Sequence, residues 1–209
     1  MTGRVSSREA LELLEVGNRR FVAGDAGDAR HYGPPGENGG AGLQEPIAIV
    51  LGCSDARVPA EMVFDQGVGD LFVIRVAGNV VAPSQIASVE FAASQFGTRL
   101  VVVLGHTQCG AVLATIDEMR REEAERSLGL RSIVDRVRPA VESLVAGADP
   151  AGDDSKLIAQ AVRANIRASV RQLCEGSEGI RKLIAEAGLE IIGAEYSLET
   201  GIVEFLELQ

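Results

Sequence analysis

Ile47-Ala48-Ile49-Val50-Leu51-Gly52-Cys53-Ser54-Asp55-Ala56-Arg57 and Leu100-Val101-Val102-Val103-Leu104-Gly105-His106-Thr107-Gln108-Cys109-Gly110 share one logic. In each, an apolar, β-branched run leads at once into a cluster of metal-capable side chains. The runs read as strands over about 47–51 and 100–104, with another over 71–76. A helix is expected between the last two, from Pro83 to Phe96, with the proline in its first turn. Fully apolar strands alternating with a helix imply a parallel sheet covered on both faces. In such sheets, sites form beyond the carboxyl ends of the strands. Cys53 stands two residues past one expected strand end and His106 two past the other. If those strands are neighbours, thiol and imidazole converge, and Cys109 comes round one turn to the same point.

Working outward, Ser6-x-x-Glu9 is a capping box that opens a helix carrying Leu11, Leu14 and Phe21, and Ala23-Gly24 begins its stop. Residues 24–46 are rich in Gly, Pro, Asp and Asn and read as a long surface loop. From Gly110 to Glu175 the pattern is helical, broken near Gly129 and at Gly147-Ala148-Asp149-Pro150. Ser177 to Ala187 adds a short helix. Residues 190–194 and 202–206 read as a hairpin around Glu199-Thr200-Gly201. The expected fold is α/β: a mainly parallel β-sheet flanked by helices, with an antiparallel C-terminal edge and an N-terminal helical arm. Residues 1–209 form a single domain on this reading, 1–46 being the arm and 47–209 the sheet and helices. No internal repeat or low-complexity tract is evident.

Composition narrows the partners. The 209 residues include 20 basic and 30 acidic side chains, a net charge of −10. So acidic a chain repels nucleic-acid backbones and anionic membranes, and no basic run or aromatic array argues otherwise. Large anionic substrates are disfavoured unless local arginines collect them. No segment reaches the roughly 18 consecutive apolar residues of a membrane span. The stretch Met1 to Ser6 lacks the apolar core of a signal peptide, so the expected location is cytoplasmic. Three cysteines cannot all pair with one another, and a disulfide framework is not expected in a reducing compartment. Cys174 lies in a helical pattern and reads as a small buried hydrophobe.

Cys53, His106 and Cys109 supply three of the four ligands that zinc prefers, and a missing fourth ligand is where zinc acts on water. The plain alternative is two inert cysteines and a hydrogen-bonded core histidine. Asp55 and Arg57, two apart in extended chain, point the same way. A carboxylate beside a guanidinium stays ionised and oriented. Asp55 could instead close the metal as a fourth ligand, or the two could form a surface ion pair of at most about 1 kcal/mol.

Three stretches carry a family resemblance: Cys53-Ser54-Asp55-Ala56-Arg57-Val58-Pro59, Gly69 to Asn79, and Gly105 to Gly110. Together they resemble the signature stretches of the β-class carbonic anhydrases, and the likeness extends to Gly17 to Phe21 and to Gly193 to Tyr196. The resemblance implies one zinc per chain on Cys53, His106 and Cys109. It implies an Asp55–Arg57 dyad that orients a zinc-bound hydroxide for reversible hydration of CO2 to bicarbonate and a proton. It implies substrate contacts from Gln44, the Gly110 backbone N–H, and Phe72 and Phe91, the phenylalanines coming partly from a neighbouring subunit. The implied assembly is an obligate homodimer, in some members a dimer of dimers, with the N-terminal helix reaching across its partner.

The chain also departs from the family. Some members bind regulatory bicarbonate through a tryptophan, an arginine and a tyrosine. Arg75 and Tyr196 match the last two, but Val50 stands at the tryptophan's position and the chain has no Trp. The bland roles of Arg75 and Tyr196 are packing near the dyad and a hydrogen bond at the sheet edge. Val76 replaces an asparagine found in many members. Hydrolysis of COS or CS2 on the same fold is the enzymatic alternative. A non-catalytic zinc protein is the other, and it would need neither Arg57 nor Gln44. His31, the one histidine besides His106, falls in the long loop as a solvated residue or a proton shuttle.

Overall fold

Strands with no polar side chain must be covered on both faces, and a computed structural model of the chain, which describes residues 5–25, 44–122, 127–149 and 153–207, has that arrangement. Five strands form one sheet in the order β2-β1-β3-β4-β5. They are β1 (Ala48–Gly52), β2 (Leu71–Arg75), β3 (Leu100–His106), β4 (Glu190–Tyr196) and β5 (Val203–Leu206). β1 runs parallel to both β2 and β3, β3 runs parallel to β4, and β5 closes the edge antiparallel to β4. Every residue of β1 and β3 is buried, whereas edge strand β2 is mostly half-buried.

Alternate side chains of the central strands feed two cores. Ile49, Leu51, Val101 and Val103 join one core with Val89, Val137, Val162, Ile166 and Ile180. These come from α3 (Pro83–Gln95), α5 (Arg131–Ala146), α6 (Ser155–Glu175) and α7 (Glu178–Ala187). Val50, Val102 and Leu104 face the other core, against Leu14 of α1 (Ser7–Ala23) and Val63 of α2 (Ala60–Val63). α4 (Gly110–Arg120) follows β3 and carries the chain back over the first core.

α1 begins with the expected reciprocal cap between Ser6 and Glu9, and ends at Gly24 in the left-handed region, φ 76°. Asn18 then ties it down. Its amide donates to the carbonyls of Val63 and Gly201 and accepts from Val203 N–H. The inner face of α1 therefore packs on its own sheet. Its outer face carries the exposed Leu13, Val16 and Val22.

Two boundaries differ from expectation in a way that bears on the site. β3 continues to His106 because β4 pairs with it along its whole length, Gly105 opposite Glu195 and His106 opposite Tyr196. β1 reaches Gly52, paired with Arg75 and Leu104. His106 is thus the last strand residue, and Cys53 follows its strand directly. Short-range patterning also missed α2 and a 3-10 turn at Ala77–Asn79, both too short to show a period. His31 and most of the expected loop over 24–46 lie outside the described residues. Among the described residues, no helix is long and apolar enough to cross a membrane.

Candidate metal centre

Parallel pairing of β1 and β3 makes their carboxyl ends neighbours, and the expected convergence follows. The donor atoms of Cys53, His106 and Cys109 all lie within 4.8 Å of one another, and all three residues are buried. The two sulfurs are 4.0 Å apart. Gln108 adopts a left-handed conformation, φ 55°, which turns the chain so that Cys109 caps α4. The Cys109 sulfur faces backbone N–H groups of Ala111 and Val112 at the positive end of that helix.

The histidine is oriented for ligation. Its Nδ1 lies 2.9 Å from the Thr107 carbonyl, an acceptor, so Nδ1 carries the hydrogen. That leaves the lone pair on Nε2, which is buried without a hydrogen-bond partner. A buried, unpartnered imidazole nitrogen beside two thiols suits a metal, and the Cys2His set suits zinc. The Cys53 thiol is lowered to about 4, chiefly by its hydrogen bond with Cys109, with burial opposing. The same contact, together with burial, holds the Cys109 thiol up. Burial pushes His106 down, but the adjoining Cys53 sulfur, the Thr107 carbonyl and the Asp55 charge outweigh it and the net direction is up. Zinc binding to the two thiols would release their protons.

Asp55 stands on the open side of the tripod. One of its carboxylate oxygens is 3.8 Å from His106 Nε2. Arg57 grips both oxygens, Nε to Oδ1 at 2.9 Å and the guanidinium end to Oδ2 at 2.7 Å, and its backbone N–H adds a third bond. Those bonds hold the carboxyl well below the usual range. Arg75 lies beneath, donating to the carbonyls of Cys53 and Asp55, so it fastens the loop that carries both groups. Tyr196 is buried and packs near Phe21, and Val50 is fully buried.

The remaining implied residues divide. A Cβ built on Gly110 would meet nothing within 4 Å, so that backbone faces open space. Gln44 is exposed. Phe72 sits at the far end of β2, opposite Ile49. Cys53 lies four residues beyond Ile49, about 13 Å at the strand rise of ~3.3 Å per residue. Phe72, Phe91 and Phe96 instead form an aromatic trio at the sheet edge, with centroids 5.8–6.3 Å apart. Phe91 is 54% exposed. The chain does not bring these rings to its own tripod. Sequence reasoning placed Gly78 in a stretch that carries the resemblance but gave it no role; its N–H donates to the Cys53 sulfur at 3.3 Å. The turn that aims it is too short to leave a periodic signal.

Comparison with known proteins agrees with this geometry. A family model described as carbonic anhydrase matches residues 48–203. Carbonic anhydrase 2 of Mycobacterium tuberculosis is 35% identical over 194 residues, spanning 92% of this chain and 89% of that protein. The structure of a β-carbonic anhydrase of Aspergillus fumigatus superposes with a TM-score of 0.71 at 26% identity, covering 81% of this chain and 78% of that one. A structure described among tetrameric β-carbonic anhydrases of Sordaria macrospora gives 0.66 at 26% identity, over 79% and 83%.

Proposed function

The chain belongs to the β-class carbonic anhydrase family, and from that membership we propose that it hydrates CO2 reversibly to bicarbonate and a proton at a zinc site formed by Cys53, His106 and Cys109. The observation that carries the proposal is the unpartnered Nε2 of His106, buried between two sulfurs and faced by a carboxylate that Arg57 holds. Zinc, when bound, supplies Lewis acidity that makes hydroxide available from water near neutral pH.

The chain's own groups do the rest. Asp55 accepts a hydrogen bond from the attacking oxygen and so aims its lone pair at the CO2 carbon. Arg57 keeps Asp55 ionised and occupies both carboxylate oxygens, which restrains it from serving as a ligand itself. Arg75 fixes the backbone of the loop, so the carboxylate needs little reorganisation as charge moves. The Gly110 N–H and the side chain of Gln44 offer donors to a bicarbonate oxygen.

CO2 is apolar and favours a small dry pocket. The trio of Phe72, Phe91 and Phe96 lies too far from its own tripod, so we assign it to the pocket of a second copy. An exposed aromatic edge beside β2 supports a homodimer, and the tetrameric Sordaria relative supports a dimer of dimers. Two free thiols as ligands suit a reducing compartment such as the cytoplasm.

Metal analysis with stopped-flow CO2 hydration tests the proposal. One zinc per chain and rapid hydration are expected. Cys53→Ser, His106→Ala and Cys109→Ser should each lose zinc or activity. Zinc-loaded protein that hydrolyses COS or CS2 but leaves CO2 at the background rate would replace this substrate assignment.

A further inference from the structure

We propose that Asn165 and Ser169 of α6 are positioning residues of the metal centre, holding the Gly78–Asn79 turn so that Gly78 N–H donates to the Cys53 sulfur. The inference rests on Cys53 being a zinc ligand.

The turn is permitted by its sequence and fixed by its contacts. Gly78 has φ 69° and Asn79 has φ 44°, two successive left-handed residues closing the 3-10 turn that follows β2. Gly78 meets no side-chain penalty there and Asn79 is among the few other residues that tolerate it, so contacts must select this conformation from others equally open to the pair. Here both carbonyls are caught from below. Asn165 Nδ2 donates to Gly78 O at 2.8 Å, and Ser169 Oγ donates to Asn79 O at 3.0 Å. Asn165 and Ser169 are each 2% exposed and stand one helical turn apart, so their donors align along one face of α6. With the carbonyl of Gly78 drawn toward α6, its N–H is left pointing at Cys53, 3.3 Å from the sulfur.

The platform itself is rigid. Ile166, next to Asn165, fills a slot in which a Cβ on Gly105 would come within 2.5 Å of its side chain, and one on Gly193 within 2.8 Å. Two glycines on β3 and β4 thus let α6 press onto the strand that ends in His106, which sets where Asn165 and Ser169 stand. Gly78 offers no slack either, since a Cβ there would lie 3.0 Å from the Ala111 side chain. Hence a helix far along the chain controls one hydrogen bond to a ligand sulfur. That bond withdraws electron density from the thiolate, and groups that hold ligands in this way tune metal affinity.

The test measures zinc affinity by chelator competition on the full chain, the thiolate-to-metal charge-transfer band of cobalt-substituted protein, and thermal unfolding. Asn165→Ala and Ser169→Ala are expected to weaken zinc binding about 10–100-fold. They should also move the charge-transfer band to lower energy, because a sulfur without its N–H donor releases electron density more readily. Ser169→Thr keeps the hydroxyl and should restore both. Val162→Ala, a buried change on the same helix, should lower Tm while leaving affinity and band unchanged. If Asn165→Ala and Ser169→Ala behave as Val162→Ala does, the inference is overturned. If Asn165→Ala does not fold, the contrast between Ser169→Ala and Ser169→Thr decides by the same readouts. Zinc affinity untouched by Cys53→Ser would overturn the metal assignment and this inference together, whereas the former result overturns the inference alone.

Discussion

Arg57 approaches Asp55 with both its guanidinium and its backbone N–H, three hydrogen bonds to one side chain. Such a grip spends flexibility on aim, and its value in the proposed reaction lies in orienting an attacking oxygen. Asp55→Asn keeps the shape but loses charge and acceptor strength. It should retain zinc while kcat/KM for CO2 hydration falls by about 100- to 1,000-fold, the scale for losing one preorganised polar contact. Arg57→Ala should be comparably damaging for a different reason, since the freed carboxylate can then swing onto the metal. Cobalt-substituted protein separates the two. Asp55→Asn should keep a pH-dependent spectrum, and Arg57→Ala should show one insensitive to pH near neutrality. Wild-type rates in Asp55→Asn would reduce the pair to a structural ion pair. Cys174, half-buried on α6 and packed against the core, should tolerate Ser with zinc content and rate unchanged.

α1 shows how much an element's place can depend on a few atoms. Its capping box is exposed, and the Ser6 backbone and hydroxyl bonds lower the Glu9 carboxyl below its ordinary value of 4.5. A lowered folded value means the contribution is complete above 4.5 and disappears as pH falls below it through the folded value. Hydrogen exchange at the first turn of α1 should therefore quicken in acid before the rest of the helix responds. Ser6→Ala should reproduce that fraying at neutral pH, at a cost of about 1 kcal/mol. Unchanged exchange in acid would mean that the box contributes nothing. Deeper in the helix, a Cβ on Gly17 would lie 1.7 Å from the Phe64 carbonyl oxygen. Backbone cannot yield as a side-chain tip can, so Gly17→Ala should lift α1 off the sheet and lower stability by about 1–3 kcal/mol or more. Denaturant unfolding measures this, and wild-type stability would show that the approach is looser than the geometry indicates.

For the whole molecule, the proposed function needs aromatic rings at one sheet edge to serve a metal held at the strand ends. The proposed answer is a second copy. Phe91→Glu should then shift the protein toward monomer in light scattering and reduce hydration, with zinc content intact. A fully active monomer would remove the partner from the pocket. Much of this arrangement was legible beforehand. The apolar runs before Cys53 and before His106 announced buried parallel strands, and the metal-capable residues after them announced the Cys53, His106 and Cys109 cluster. What stayed illegible is non-local or aperiodic. The extension of β3 to His106 depends on pairing with β4, some 90 residues later in sequence. The Gly78–Asn79 turn has no period, and its anchors Asn165 and Ser169 look like ordinary polar residues in an amphipathic helix until the fold places them under it. Even so, the central claim concerns the tripod, and stopped-flow CO2 hydration by zinc-quantified wild-type protein beside Cys53→Ser tests it most directly. The expected result is rapid hydration at one zinc per chain in the wild type, with zinc and rate both lost in the variant; full zinc occupancy and undiminished hydration in Cys53→Ser would contradict it.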